Sequence, residues 1–257
     1  MIYVDLKNKR VIVTGGAGGI GSATVHALLE AGATVGVVDN NEEKLNTLED
    51  TLSDTLKDQI VFYSVDIGQF EAAERTVRDF FDRFQSIDGL INNAGVLRDG
   101  PLISIFGGQL KKYPLKDWHE TINSNLHGYF YFAREVAEKM VLERTRGVII
   151  NVSSVSAAGN KGQTAYAASK AAVNALTVSW AQELAMFGIR VAGLAPGMTD
   201  TPMPRISMNE QQLNQWARRT PMKRMATSQE IAEGILFIFH NEFFCGRVLA
   251  LDGGLRM

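Results

Sequence analysis

The sequence predicts an α/β protein built on one seven-stranded parallel sheet with helices on both faces. Three observations carry that expectation. Short β-branched runs alternate with longer amphipathic segments, several of those runs are apolar at every position, and the 257 residues show no break in composition. Strands separated by helices of about ten residues or more form right-handed crossovers, and therefore parallel neighbours. Continuous apolar runs such as VIV, VGVV and GVII fit strands covered on both sides. With 46% apolar and 21% charged residues, a chain of this length is expected to bury one large core.

The elements follow in order. RVIVT leads into a helix from Ile20 to Ala31, ATVGVVD into Asn41 to Leu56, IVFYSVD into Gln69 to Phe84, and DGLINN into Leu115 to Leu142. GVIINVSS precedes a helix from Thr164 to Phe187, IRVAGLAPG follows it, and Ile231 to Phe239 leads into RVLALDGG. Between the fourth strand and its helix lies a long connection, Val96 to Pro114, and loops of that length are usually functional or mobile.

Composition excludes several classes. The formal net charge of −2 gives no electrostatic reason to expect nucleic acid or a membrane as partner. The longest run without Asp, Glu, Lys or Arg, Val11 to Leu29, contains five glycines and cannot span a bilayer. MIYVDLKNKR lacks the apolar stretch of a signal peptide. One cysteine, Cys245, excludes an internal disulfide, and His26, His119, His127 and His240 have no metal-ligand spacing. The expectation is a cytoplasmic protein without a metal.

Gly15, Gly16, Gly18, Gly19 and Gly21 fall where the first strand turns into the first helix. A loop there presents backbone N–H groups and a helix dipole to a pyrophosphate, and glycine removes the Cβ atoms that would hold the phosphates away. Gly16, Gly18 and Gly21 satisfy G-x-G-x-x-G, while Thr14-Gly15 with Gly19-Ile20-Gly21 satisfies T-G-x-x-x-G-x-G. Asp39 ends the second strand, where a carboxylate accepts hydrogen bonds from the adenosine ribose and repels a 2′-phosphate. No Lys or Arg stands in the loop or between Asp39 and Asn41, so NAD is expected over NADP. The competing reading of Asp39 is a cap for the following helix.

In the second half, Tyr166-Ala167-Ala168-Ser169-Lys170 opens a predicted helix, and the i, i+4 spacing sets phenol and ammonium on one face. An adjacent cation favours phenolate, bringing a tyrosine towards use as an acid/base. Ser153-Ser154 ends the preceding strand at the same sheet edge as the glycine loop. Serine, tyrosine, lysine and a dinucleotide converging there form a hydride-transfer site.

At these residues the chain resembles the short-chain dehydrogenase/reductase family, from about Lys9 to Gly254. The motifs are Thr14 to Gly21, Asp66-Ile67, Asn92-Asn93-Ala94-Gly95, N-V-S-S followed by Y-A-A-S-K, Ala195-Pro196-Gly197 with Thr201, and Asp252-Gly253-Gly254. The resemblance implies a single Rossmann-fold domain over residues 1–257 with Tyr166 as catalytic acid/base. Lys170 would hold the nicotinamide ribose, and Asn125 would anchor a proton-relay water. It further implies that Gly15, Gly18, Gly19, Ile20 and Gly21 hold the pyrophosphate. Asp66 and Ile67 would contact the adenine, Asn93, Ala94 and Gly95 the adenosine side, and Pro196, Gly197 and Thr201 the carboxamide. Counted from Asn151 the catalytic serine falls on Ser154, whereas the family's commonest serine–tyrosine interval fits Ser153; the strand end favours Ser154.

Within the family, NNAGVLRDG, GNKGQTAYAASK and GRVLALDGG most resemble the 3-oxoacyl-[acyl-carrier-protein] reductase branch, which works in fatty acid metabolism. This implies interconversion of 3-oxoacyl and 3-hydroxyacyl thioesters. Phe187 and Gln182 stand where that branch carries basic residues, and Asp39 departs from its NADP preference, so a coenzyme A thioester stays open beside the carrier protein. A dehydrogenase of a polyol, sugar or other secondary alcohol is the alternative, and a non-catalytic dinucleotide sensor is a third. Met198, Met203, Met208, Met222 and Met225 mark the expected substrate lid at about 198–225. Trp180 and the run Tyr129-Phe130-Tyr131-Phe132 lie on the helices that form the family's dimer interface, which implies a homotetramer.

Overall fold

The computed structural model describes residues 5–256. Strand β1 (Arg10–Thr14) is followed by α1 (Gly19–Glu30), β2 (Thr34–Asp39), α2 (Glu42–Asp50), the single turn α3 (Asp54–Lys57), β3 (Ile60–Ser64), α4 (Phe70–Phe84) and β4 (Gly89–Asn92). A hairpin of β5 (Ile103–Phe106) and β6 (Gln109–Lys112) precedes α5 (Leu115–Ile122) and α6 (Gly128–Leu142). The chain continues through β7 (Val148–Val152), α7 (Thr164–Leu184), β8 (Arg190–Pro196), α8 (Pro202–Ser207), α9 (Glu210–Arg219), α10 (Ser228–His240) and β9 (Val248–Leu251).

Seven strands form one sheet in the order β3-β2-β1-β4-β7-β8-β9, and every pairing is parallel. The chain winds outward from β1 to β3, then returns to β4 and winds the other way. The crevice at the carboxyl ends of β1 and β4 is therefore the switch point where such sheets bind ligands. The apolar strands are explained by two cores, one on each face. Val11 and Val13 join one core with Leu28, Ile150 and Ile235; Ile12 joins the other with Phe80, Leu90, Phe132 and Ile149. A strand that buries alternate residues in opposite cores has no solvent face left to be polar.

The structure departs from the sequence expectation in four places. The span Asn41 to Leu56 is two helices, because Thr51 to Ser53 leaves helical geometry and Ser53 is extended. The span Leu115 to Leu142 is interrupted by a π-helical turn at Asn123–His127, which re-aims the side chains on its inner face. The Val96 to Pro114 connection is not irregular throughout. It carries the β5–β6 hairpin, in antiparallel register from Ile103↔Lys112 to Phe106↔Gln109. Gly107 and Gly108, both at positive φ, make its two-residue turn. Finally, the aromatic run on α6 is not all surface. Tyr129 and Phe132 are fully buried within the monomer while Phe130 is 46% exposed, as helical periodicity requires of adjacent residues. Among the described residues, no helix is long and apolar enough to cross a membrane.

Arg190 opens β8 and ties it to the end of α10. Its guanidinium donates to the carbonyls of Ile238 at 3.1 Å, Phe239 at 3.2 Å, Asn241 at 3.4 Å and Phe244 at 3.0 Å. The Ile238 and Phe239 carbonyls are among the groups a helix end leaves without intrahelical partners, and those of Asn241 and Phe244 belong to the turn that follows. Arg190→Met is expected to destabilise the fold by about 2–3 kcal/mol through acceptors left unsatisfied in a partly buried site. The check is urea unfolding followed by circular dichroism; an unchanged midpoint would mean that water replaces the guanidinium.

Candidate active site

The carboxyl edge of the sheet opens into a cavity of about 460 Å³. Its wall at the first crossover is the glycine loop. Gly15 takes φ +63°, and a Cβ there would meet the Ala94 Cα at 2.6 Å, so the loop packs directly on the turn after β4. At Gly21 a Cβ would run into the Gly15 carbonyl oxygen. Helix α1 starts without a side-chain cap and has no acidic residue in its first turn. A helix start of this kind, faced by a cradle that admits no side chain, fits the diphosphate of a dinucleotide.

Hydrogen bonds hold this cradle in place. The Thr14 hydroxyl accepts from the Asn93 and Ala94 N–H groups at 3.1 and 3.2 Å, and the Asn93 amide donates to the Thr14 and Gly15 carbonyls at 3.1 and 3.0 Å. Asp39 at the end of β2 accepts from the Ala17 N–H at 3.2 Å and the Asn41 N–H at 3.1 Å. It does not cap α2: the Asn41 side chain does, accepting from the Lys44 N–H at 2.9 Å. Asp39 thus stays fixed to the loop with its carboxylate on the cavity wall.

The opposite wall comes from the end of β7 and the start of α7. Ser154, Tyr166 and Lys170 all line the cavity. Burial pushes the Tyr166 phenol above its ordinary range, a hydrogen bond with the Ser154 side chain works in the other direction, and the nearby Asp99 charge adds to the rise. Both serines line the cavity but differ: Ser153 is buried and donates to the Lys170 carbonyl at 3.3 Å, whereas the Ser154 hydroxyl accepts from the Ser156 N–H at 3.1 Å and lowers the Tyr166 phenol.

Lys170 corrects the expected electrostatics. Its Nζ donates to the Val152 carbonyl at 2.8 Å and to the Tyr129 hydroxyl at 3.1 Å, and lies 5.8 Å from the centre of the Tyr166 ring. Burial lowers its pKa to about 7, and burial rather than the lysine's charge dominates at Tyr166, whose phenol is raised. Tyr129, on a helix that the resemblance places at the dimer interface, is fully buried behind the site; only the fold brings it beside Lys170.

Most of the other residues expected at the site come together here. Gly15, Gly18, Gly19, Ile20, Gly21, Asp39, Asp66, Ile67, Asn93, Ala94, Gly95, Pro196, Gly197 and Thr201 all line the same cavity. Asn125 does not reach it. Fully buried in the π-helical turn, it accepts from the Val96 N–H at 2.7 Å and donates to the Val96 carbonyl at 3.0 Å, clamping the turn after β4. Lys44, Arg98, Asn160, Gln163 and Trp216 line the cavity without having been singled out, since each reaches it from an element or turn adjacent to a motif.

A family model for short chain dehydrogenases matches residues 9–212. The chain is 37% identical over 253 residues to 3-oxoacyl-[acyl-carrier-protein] reductase FabG of Thermotoga maritima, covering 97% of this chain and 98% of that one. It is 37% identical over 226 residues to a sorbitol-6-phosphate 2-dehydrogenase of Klebsiella pneumoniae, covering 87% and 80%. The crystal structure of a short-chain dehydrogenase/reductase, glucose/ribitol dehydrogenase, from Brucella melitensis superposes with a TM-score of 0.89 at 28% identity over the whole of both chains. A doubly wound sheet, a side-chain-free diphosphate cradle and this extent of similarity lead to one conclusion: the chain belongs to the short-chain dehydrogenase/reductase family, oxidoreductases that act on a CH–OH group with a nicotinamide dinucleotide.

Proposed function

We propose that the protein interconverts 3-oxoacyl and 3-hydroxyacyl thioesters with NAD(H), using Tyr166 as acid/base. The observation that carries this reading is the meeting of Ser154, Tyr166 and Lys170 with the glycine cradle and Asp39 around one cavity. The glycine cradle and Asp39 would hold the dinucleotide, which would supply or accept the hydride at C3 when bound. Ser154 orients the substrate oxygen. In the reducing direction the Tyr166 phenol, kept protonated by its burial, donates to the oxygen as negative charge develops there. Oxidation needs the phenolate and is accordingly favoured as pH rises.

Asp39 supports NAD over NADP, because its carboxylate is fixed where a 2′-phosphate would sit. Lys44 stands on the same wall and makes the preference one of degree. The segment 198–225, carrying α8 and α9, serves as the substrate lid: Met203, Met208 and Trp216 line the cavity from it. The exposed Phe130 and Val178 on α6 and α7 support assembly as a homotetramer. The sorbitol-6-phosphate dehydrogenase similarity favours a second reading, oxidation of a polyol or other secondary alcohol in the same pocket. A sensor without chemistry has no physical need of a buried phenol held by Ser154.

The function is tested by nicotinamide absorbance with acetoacetyl-CoA. Tyr166→Phe is expected to lower kcat by about 100-fold or more with dinucleotide binding intact. Turnover surviving in that variant would remove the tyrosine from the mechanism; none in the wild type, with polyols oxidised, would favour the second reading. Asp39→Ala is expected to shift preference towards NADPH by roughly tenfold, equivalent to relief of ~1.4 kcal/mol of charge repulsion. An unchanged preference would reject its role.

The buried lysine also makes stability depend on pH. Its folded pKa of about 7 lies below the ordinary lysine value of 10.5, so between the two the folded state binds fewer protons than the unfolded chain. Stability therefore rises with pH through that window and falls as pH drops towards 7. In denaturant titrations at stepped pH, the difference between wild type and Lys170→Met should grow in favour of the wild type with rising pH. A constant difference would mean that Lys170 stays charged.

A further inference from the structure

Tyr129 carries a buried hydroxyl that neither core packing nor the motifs account for. It is the second residue of α6, directly behind the π-helical turn, and its side chain is fully buried. Its backbone is held on two sides: a Cβ at Gly128 would meet the Ile67 side chain at 2.6 Å, and the Tyr129 carbonyl accepts from the Asn92 amide at 3.3 Å. Phe132, also fully buried on α6, packs with a bare ring. A hydroxyl taken out of water costs free energy unless it is hydrogen-bonded, so this one answers to its partners rather than to the core.

Those partners fix where each proton points. The Tyr129 oxygen lies 3.1 Å from the Val152 carbonyl oxygen and 3.1 Å from the Lys170 Nζ, and Nζ lies 2.8 Å from the same carbonyl. A carbonyl only accepts, so the single phenolic proton goes to Val152, and towards Lys170 the phenol can only accept. Two of the three ammonium protons are thereby committed inward. The third has no protein partner among the described residues, and because Lys170 lines the cavity it is the one turned that way. A neutral amine would keep both inward bonds and lack only that third proton, so the lysine gains and loses its charge at the cavity face.

Few polar groups compete for this ammonium. Tyr129 meets it from α6, with its ring centre 4.9 Å from Nζ, and Tyr166 meets it from its own helix at 5.8 Å. The end of β7 presents a carbonyl and the turn after β4 presents Gly95, where a Cβ would stand 3.8 Å from Nζ; neither is charged. Burial alone lowers the lysine, and burial also keeps Tyr129 protonated by raising its phenol. The Tyr129 hydroxyl is thus one of two acceptors on which the charged form depends.

Resting on the dinucleotide part of the reading above, we propose that Tyr129 is a positioning residue acting through Lys170: its hydroxyl keeps the ammonium charged and turns its third N–H to the cavity, for a hydroxyl of the dinucleotide. The inference holds whichever carbonyl compound is reduced. Removing only the hydroxyl leaves an inward N–H without an acceptor while the ring still fills the core. The charged lysine then loses more than the neutral one, and gives up its cavity-side proton at lower pH.

The test uses the full chain, as wild type and as Tyr129→Phe, with isotope-labelled lysine followed by NMR in the absence of cofactor and Lys170 assigned by comparison with Lys170→Met. The Lys170 resonance should titrate about one pH unit lower in Tyr129→Phe than in the wild type. NADH, followed by its fluorescence, should bind the variant about tenfold more weakly near pH ~8 and less than about twofold more weakly near pH ~5.5, where both proteins hold the third proton. An unchanged titration overturns the proposal, and so does a loss of affinity equal at both pH values, which would make Tyr129 merely structural. In the wild type itself the affinity should fall as pH rises above the lysine titration; a flat affinity there overturns the proposal without recourse to a variant. A wild type that binds no NADH overturns the dinucleotide reading and the inference together. These lysine and NADH results with no reduction of acetoacetyl-CoA support the inference and overturn the thioester reading alone.

Discussion

A lysine in the dry interior is the constraint around which the catalytic half of this protein is arranged. Lys170 is buried, and an ammonium there needs acceptors supplied at fixed positions. The Val152 carbonyl and the Tyr129 hydroxyl provide them, and the Tyr129 hydroxyl in turn donates to Val152 at 3.1 Å. One side chain thus couples β7, α6 and α7. The end of β7 is also where Ser154 departs, and the first turn of α7 carries Tyr166. Satisfying the lysine therefore brings the serine and the phenol to one cavity wall.

The dinucleotide half rests on backbone groups. Thr14 and Asn93 tie the ends of β1 and β4, which flank the switch point, and Asn125 clamps Val96 just beyond. Behind them a buried ladder runs from Asn92 to Asn151 at 3.0 Å and from Asn151 to Thr177 at 3.0 Å. Such polar pairs inside a parallel sheet favour one register, because a slip would leave buried amides without partners. The two halves share β4 and β7, so the distance between the diphosphate cradle and the phenol is set by the sheet rather than by loops.

Between these rigid parts the connection after β4 has a double life. Its first residues are pinned to the start of α7 through Gly100, whereas the hairpin beyond them projects Ile103, Ile105 and Leu110 into solvent. Two strands alone are marginally stable, so the hairpin draws its order from that anchorage. Its base shapes the cavity wall; its tip does not belong to the site.

The sequence by itself determined the fold class, the strand order of events along the chain and the glycine cradle, because these depend on local periodicity and on spacings within a single turn. It also marked Asp39, Ser154, Tyr166 and Lys170, whose residue types at strand ends and one helical turn apart carry chemistry in themselves. Only the tertiary structure decided what faces them. The acceptors of Lys170 lie 18 and 41 residues away, Gly100 bridges to Gln163 beyond a hairpin, and Arg190 meets α10 some 48 residues on. Helical periodicity could divide the aromatic run on α6 into two faces, but could not say that Tyr129 would meet a lysine. Burial, which raises the tyrosine and lowers the lysine against the direction expected from their adjacency, arises only when the whole sheet and its helices close around them.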